Sequence, residues 1–236
     1  GSGRDQHALF KADNEMFTGI IQAVGTLAGR ELRGGDLRLA IRSNSLPLAD
    51  VQLGDSIATN GVCLTVIELS GDGYVADVSR ETLALSTLSD LAVGSRVNLE
   101  KALTLSTPLG GHLVSGHVDG VGVILERREE ARSIRFLVEA PKTLARYIAH
   151  KGSICVDGVS LTVNAVDGHR FDLNIVPHTQ QETITADYRP GSRVNLEVDL
   201  LARYLERLLL GEQAAEPARP ESGVTLALLA ERGFLR

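Results

Sequence analysis

Two seven-residue segments carry side chains whose types and spacing could support chemistry. Residues 60–66 read Asn-Gly-Val-Cys-Leu-Thr-Val, and residues 157–163 read Asp-Gly-Val-Ser-Leu-Thr-Val. The thiol of Cys63 could act as a nucleophile or as a polar contact in a pocket, and the hydroxyl of Ser160 stands at the matching position. A cysteine of this kind is more often a small, half-buried strand residue without a chemical role. The neighbouring Thr65 and Thr162 favour a site, because a core-facing strand would carry aliphatic side chains there.

Two histidines are candidates for metal chemistry, and one of them, His117, is also a candidate for acid–base chemistry. His112 and His117 are five residues apart, which points them to opposite faces of a strand, and no cysteine or carboxylate has ligand spacing with them. We therefore expect no metal site. His117 could act as a general base or hydrogen-bond partner, since the matching position 97 residues earlier holds Ile20, although a surface histidine fits the sequence equally well.

Polar residues that follow two further strands are weaker candidates. Thr82 and Thr179 also match at this offset, and a polar residue that follows a strand in both places indicates ligand contact. Glu81 and His178 beside them, and Lys151 in a predicted loop, are interpreted by default as solvated surface groups.

The elements that must position these residues are duplicated. The offset of 97 residues carries Gly-Ser-Arg-Val-Asn-Leu-Glu from residues 94–100 to residues 191–197 without a change, so the repeating unit is a whole domain and not a short solenoid repeat. We predict a first domain at residues 16–112 and a second at residues 113–198, each large enough for its own core.

Within each copy, the sequence predicts short antiparallel strands. Asn60-Gly61 and Asp157-Gly158 are strong signals for two-residue hairpin turns, which would place Ala58 opposite Cys63. Residues 17–25 and 114–122 are predicted to be the opening strands. Strands every 8 to 12 residues with Gly-rich turns favour an all-β fold of two small closed barrels.

The ends of the chain read differently. Residues 199–210 carry an apolar stripe at helical spacing that ends before Gly211, so a helix is predicted there. Residues 211–236 read as a linker followed by a short helix at residues 224–232. Residues 1–15 begin with Gly-Ser-Gly, are polar and lack the apolar core of a signal peptide, so we interpret them as an added leader and expect the native chain to start at Met16.

Composition excludes several classes of protein. The chain is 43% hydrophobic and 23% charged, and no apolar run approaches the length of a membrane span. The net charge of −6 is spread without a basic stripe, so a nucleic-acid partner is not expected. Two cysteines at non-equivalent repeat positions favour a reducing cytoplasm over a disulfide framework. No phosphate-binding loop or nucleophile elbow supports nucleotide or ester hydrolysis.

Five motifs in order give the chain a resemblance to a known family. Met-Phe-Thr-Gly-Ile-Ile at residues 16–21, Gly-Gly-His-Leu-Val-Ser-Gly-His at residues 110–117, the two seven-residue segments above and the twin 94–100 and 191–197 segments are similar to the riboflavin synthase α-chain family of lumazine-binding repeats. The resemblance runs from Met16 to about Leu210. It implies two six-stranded Greek-key barrels and a C-terminal helix that holds a homotrimer, with association with lumazine synthase as a further implied contact.

The resemblance also implies a reaction and a site. Two molecules of 6,7-dimethyl-8-ribityllumazine would dismutate by transfer of a four-carbon unit, without a cofactor, between the first barrel of one chain and the second barrel of a neighbour. His117, Ser160, Cys63 and Thr162 are expected to carry the chemistry. The first pocket is expected to be lined by Gly19, Ile20, Ile21, Cys63, Leu64, Thr65, Asp77, Val78, Ser79, Arg80, Glu81 and Thr82. The second is expected to be lined by Gly116, His117, Val118, Lys151, Ser160, Leu161, Thr162, Asn174, Ile175, Val176, Pro177, His178 and Thr179.

Two alternatives of different classes compete with the enzyme. A non-catalytic relative would bind one lumazine or flavin as a light-emission antenna and would lose polar residues of the second pocket. The chain has Lys151, His117, Ser160 and Thr162, which favours the enzyme. A generic barrel interaction module would leave the polar strand faces as a coincidence.

Overall fold

The computed structural model describes residues 15–215, whose strands close two six-stranded antiparallel barrels. The predicted helix at residues 224–232 and nearly all of the predicted leader lie outside the described residues. The predicted all-β fold with tandem barrels and a C-terminal helix is confirmed.

The first barrel contains β1 to β6. Their bounds are β1 Ala23–Arg33, β2 Asp36–Arg42, β3 Ser56–Thr59, β4 Val62–Ser70, β5 Gly73–Val78 and β6 Arg96–Lys101. Around the barrel the strands follow the order β1-β2-β5-β4-β3-β6, with β6 pairing back onto β1. Between β5 and β6 lie the short helix α1 (Arg80–Leu85) and a 3-10 turn at Thr87–Asp90.

The second barrel repeats this plan with β7 to β12. Their bounds are β7 Gly120–Glu130, β8 Ser133–Glu139, β9 Ser153–Val156, β10 Val159–Asp167, β11 Arg170–Ile175 and β12 Arg193–Val198. A 3-10 helix at Lys142–Tyr147 joins β8 to β9. Helix α2 (Pro177–Glu182) and a 3-10 turn at Ile184–Asp187 join β11 to β12. The strand pairing matches that of the first barrel element for element.

The predicted hairpin turns form as expected and also hold the barrels together. Asn60 and Gly61 have φ of 47° and 76°, and Asp157 and Gly158 have φ of 45° and 83°, the left-handed values that a two-residue turn of this type requires. The predicted register, with Ala58 opposite Cys63, is confirmed. The two turns pack backbone to backbone, because a Cβ on Gly61 would lie 2.6 Å from the amide nitrogen of Gly158.

The repeated asparagines connect the two barrels. Asn98 Nδ2 donates to the carbonyl of Asp157 at 2.8 Å, and Asn195 Nδ2 donates to the carbonyl of Asn60 at 2.8 Å. Their side-chain oxygens accept from backbone amides of the other barrel, Asn98 from Ile184 and Asn195 from Thr87. Both asparagines are buried, so each barrel satisfies polar backbone groups of its partner.

Each barrel has its own apolar core, produced by strand alternation. On β2, Leu37, Leu39 and Ile41 are buried while the residues between them are half-buried, and β8 shows the same pattern. The largest fully buried side chains include Leu27, Leu39, Tyr74, Ile124, Phe136 and Phe171.

The predicted opening strands are wrong in their first half. β1 begins at Ala23 and β7 at Gly120, whereas residues 17–21 (strap 1) and 114–118 (strap 2) lie outside the barrels. The straps meet at an antiparallel bridge between Phe17 and Val114. The reason is local: Gly19 and Gly116 each have φ of 76°, which breaks an extended strand.

The predicted C-terminal helix is present as α3, Leu200–Leu209, and none of its residues is buried. Its exposed side chains include Leu201, Tyr204, Leu205, Leu208 and Leu209. Across residues 15–215, the structure has no helix that combines the length and apolar character needed to span a bilayer.

Candidate active site

The first pocket opens beside β4. It is a cavity of about 250 Å³ whose lining combines strand, helix and strap residues. Alternation on β4 buries Val62 and Leu64 and leaves Cys63 half-buried on the face toward the cavity. The cavity is lined by Val62, Cys63, Glu81, Thr82, Leu85, Gly116, His117 and Val118.

Strap 2 forms one wall of this pocket. The amide of Cys63 donates to the carbonyl of Gly116 at 2.9 Å. A Cβ on Gly116 would lie 2.7 Å from the Cβ of Cys63, so only glycine allows this approach at this backbone angle. His117, the next residue, is exposed and lines the pocket.

The matching region around β10, where the second pocket is expected, is built in the same way. The amide of Ser160 donates to the carbonyl of Gly19 at 2.7 Å, so strap 1 lies against Ser160 as strap 2 lies against Cys63. A Cβ on Gly19 would lie 2.6 Å from the Cβ of Ser160. Ile20 follows with 48% of its surface exposed, an apolar counterpart to His117.

The expected grouping of strap and strand residues is therefore exchanged. We expected residues 19–21 beside Cys63 and residues 116–118 beside Ser160, and the structure has the reverse. The physical reason is the antiparallel bridge at Phe17 and Val114, which makes each strap cross to the other barrel. Consequently each pocket contains residues from both halves of the chain.

A serine–histidine pair lies beside strap 1, where the second pocket is expected. His112 Nδ1 and Ser160 Oγ are 2.7 Å apart, and the amide of His112 donates to the carbonyl of Thr18 at 3.1 Å. Burial lowers the pKa of His112, with the charge of Asp199 opposing the shift, so the ring is neutral at neutral pH. A neutral imidazole that contacts a hydroxyl can accept its proton.

His112 is the main site residue that sequence reasoning missed. Its spacing from His117 led us to consider it only as a metal ligand. The two histidines lie at different strands, His117 at the cavity beside Cys63 and His112 against Ser160, and within residues 15–215 no cluster of His, Cys, Asp or Glu could hold a metal ion. The sequence feature that could have identified His112 is the Gly-Gly-His motif at residues 110–112, shortly before strap 2.

The remaining predicted residues of the first pocket have mixed positions. Glu81 and Thr82 line the pocket from α1, whose first turn is capped by Ser79 Oγ accepting from the amide of Thr82 at 3.2 Å. Asp77 is an exposed partner of Arg38, which lowers the pKa of the Asp77 carboxyl. The side chain of Arg80 donates to the carbonyl of Gly35, Thr65 is exposed, and Leu64 and Val78 are buried in the core.

The residues predicted for the second pocket likewise differ in how far they are exposed. Thr162, Asn174, Val176, His178 and Lys151 are exposed, whereas Leu161, Pro177 and Thr179 are half-buried. The side chain of Ile175 packs in the core of the second barrel. Leu64, Val78 and Ile175 can therefore contact a ligand only through their backbone.

Comparison with known proteins shows the same duplication. The lumazine binding domain family matches the chain twice, at residues 18–102 and 115–199. The riboflavin synthase of Photobacterium phosphoreum is 50% identical over 220 residues, which covers 93% of this chain and 100% of that protein. The riboflavin synthase of Bacillus subtilis is 39% identical over 219 residues and is also covered completely. These matches extend beyond Leu210, where we expected the resemblance to end.

Solved structures with the same fold contain bound ligands. LumP complexed with riboflavin has a TM-score of 0.71 and 27% identity, covering 77% of this chain and 98% of that one. LumP complexed with 6,7-dimethyl-8-(1'-D-ribityl) lumazine has a TM-score of 0.69 and 26% identity at the same coverage. With two matched domains and relatives covered over their full length, this chain belongs to the lumazine-binding domain family.

Proposed function

We propose that the chain is a riboflavin synthase, which converts two molecules of 6,7-dimethyl-8-ribityllumazine into riboflavin and 5-amino-6-ribitylaminouracil. One molecule gives up a four-carbon unit and the other receives it. The two products together contain all the atoms of the two substrates, so the reaction requires no oxidant, reductant or cofactor.

The observation that carries this proposal is the matched packing of a strap against Cys63 in one barrel and against Ser160 in the other. A reaction between two copies of one molecule requires two similar binding sites, and the duplicated chain provides a strap, a strand residue and a short helix for each. Holding both molecules in register can supply much of the rate acceleration, because it replaces an encounter between two free substrates by a reaction between bound ones.

The difference between the pockets assigns chemistry to the second one. We propose that the neutral His112 with Ser160 accepts the proton that leaves the acidic C7 methyl group of a bound lumazine, since the two side chains are 2.7 Å apart. Cys63 and His117 are proposed to orient the molecule in the first pocket. The exposed Thr162 is proposed to bind the ribityl chain or a water molecule.

We propose that the working unit is a homotrimer held by α3. The exposed apolar side chains of this helix would be covered by copies of the same helix, and the reacting pair would lie between the first barrel of one chain and the second barrel of its neighbour. Association with lumazine synthase and a cytoplasmic location are part of the same proposal. Cys63 and Cys155 are both free cysteines, which is compatible with a reducing compartment.

The experiment that tests the function is a turnover assay. Purified protein mixed with 6,7-dimethyl-8-ribityllumazine should produce the absorbance and fluorescence of riboflavin, with two lumazines consumed for each riboflavin formed. Tight binding without a change of colour would instead support the antenna function. The 50% identity to a riboflavin synthase over 220 residues, against 26% to 27% to LumP, favours turnover.

A further inference from the structure

Two buried glutamates have no part in the chemistry described so far. Glu100 on β6 and Glu197 on β12 are matching residues of the repeated Gly-Ser-Arg-Val-Asn-Leu-Glu segment, and each is only 3% exposed. A buried carboxylate is costly unless hydrogen bonds satisfy it, so the partners of these side chains indicate what they do.

Glu197 holds strap 2. Its Oε1 accepts from the amide of Ser115 at 2.6 Å and from Ser115 Oγ at 2.8 Å, and its Oε2 accepts from the amide of Gly116 at 2.9 Å. Ser115 Oγ in turn accepts from the amide of His117 at 3.2 Å. The carboxylate thus fixes three consecutive residues of the strap, two of which line the first pocket.

Glu100 holds strap 1 in the same way. Its Oε1 accepts from the amide of Thr18 at 2.7 Å and from Thr18 Oγ1 at 2.6 Å, and its Oε2 accepts from the amide of Gly19 at 3.0 Å. Thr18 Oγ1 accepts from the amide of Ile20 at 3.1 Å. The carbonyl of Gly19 in turn accepts a hydrogen bond from the amide of Ser160, which belongs to the second barrel.

Each glutamate therefore holds a strap that lies against the opposite barrel. We propose that Glu100 and Glu197 are positioning residues, each of which sets one wall of the pocket that belongs to the opposite barrel. Glu197 of the second barrel fixes the wall beside Cys63, and Glu100 of the first barrel fixes the wall beside Ser160. The inference deepens the proposed function, since it takes the two pockets to be the ligand sites.

A purely structural role for the two glutamates predicts a different effect of replacing them. A glutamate that only stabilised the fold would, when altered, loosen its own barrel or both barrels equally. The proposed positioning role predicts that the disturbance appears in the pocket of the opposite barrel. Glutamine is the informative replacement, because its amide nitrogen would face an N–H or O–H donor at one of the two oxygen positions, while its size is unchanged.

The thiol of Cys63 reports on the first pocket without any ligand. Cys63 is half-buried beside strap 2, whereas Cys155 is fully buried, so a small thiol reagent such as dithiodipyridine should modify Cys63 first. In the ligand-free protein, Glu197→Gln should speed the labelling of Cys63 roughly tenfold, as expected for the loss of a charged hydrogen bond. Glu100→Gln should leave the rate within about twofold of the wild type.

Riboflavin as the probe ligand completes the test. In Glu197→Gln, riboflavin should still bind at one site but should no longer protect Cys63. In Glu100→Gln, the remaining site should be the one that protects Cys63. The milder pair Ser115→Ala and Thr18→Val should give the same crossed pattern if either glutamine variant fails to fold.

Equal acceleration of labelling in both glutamine variants, or acceleration only in Glu100→Gln, would overturn the inference. The labelling arm contains no ligand and no turnover. Its result therefore stands apart from a failure of the proposed riboflavin synthase activity.

Discussion

The two barrels share their scaffold and differ at their pockets. The residues that build each pocket are repeated, including the strap glycines Gly19 and Gly116 and the buried glutamates that hold the straps. Some of the residues beside each strap are not repeated, since Cys63 matches Ser160 and Ile20 matches His117. His112 corresponds to Glu15, which accepts a hydrogen bond from the amide of Ser56 at 2.7 Å.

This pattern shows what a duplicated binding domain must keep and what it can change. Two pockets that hold the same molecule need the same walls, and these are set by glycine backbone angles and buried hydrogen bonds. Two pockets that treat the molecule differently need different side chains at a few facing positions.

A large loss of turnover is expected from changes at the strap glycines. Gly19→Val or Gly116→Val would place side-chain atoms against Ser160 or Cys63 and strain a backbone at φ of 76°, which displaces the pocket wall. Turnover should fall by about 10²-fold or more, as for other shifts of about 1 Å in a site. Gly71→Ala, where a Cβ meets nothing within 4 Å, is the control and should retain activity.

The Ser160 and His112 side chains are expected to act as one unit. Ser160→Ala, His112→Ala and the double variant should each lower turnover by about 10²- to 10⁴-fold, with the double variant no worse than the stronger single one. His117→Ala should also lower turnover, by a smaller factor since the side chain is exposed. Steady-state rates together with unfolding curves check this. Additive losses in the double variant would show that the pair does not act together.

The difference between the turn residues Asn60 and Asp157 predicts how the free energy of unfolding depends on pH. Burial raises the pKa of Asp157 to about 7 although Tyr188 and Asn195 donate to it, so the folded chain binds a proton more tightly than the unfolded chain. The free energy of unfolding should therefore decrease as pH rises from about 4 to about 7 and stay level above that.

Replacing Asp157 by the asparagine of the first copy tests this. Asp157→Asn keeps an oxygen for the amide of Asn195 and removes the titrating group. The thermal midpoint of the variant should change less between about pH 5 and pH 7 than that of the wild type, where each kcal/mol corresponds to about 2–4 °C. Glu197, whose pKa is also raised to about 7 by burial, should preserve part of the slope. Identical slopes in the two proteins would contradict this assignment.

The smallest effect is expected from the exposed ion pairs between the barrels. Arg96 pairs with Asp187, and Arg193 pairs with Asp90, in matching positions with side chains about half exposed. Arg96→Met and Arg193→Met should each change stability by less than about 1 kcal/mol. Urea unfolding measures this, and a loss of several kcal/mol in either variant would show that these pairs, and not the buried asparagines, join the barrels.

The sequence predicts the local features of this protein and misses the long-range ones. The Asn-Gly and Asp-Gly turns and their register follow from backbone preferences of adjacent residues, which is why the face that carries Cys63 was predicted correctly. The exchange of the straps depends on a bridge between Phe17 and Val114, a contact across 97 residues that local patterns do not encode. The glutamates were visible as repeated carboxylates, but the alternation of β6 and β12 gave no indication that they face buried backbone amides.

The most direct test of the central claim is complementation between chains with one filled pocket each. Cys63→Tyr fills the first pocket and Ser160→Tyr fills the second, and each variant alone should have almost no turnover. If the reacting pair lies between neighbouring chains of a ring, co-expression of equal amounts should restore about a quarter of the wild-type activity, because about one interface in four then joins two intact pockets. No recovery in mixed oligomers, or full activity in either variant alone, would contradict the account.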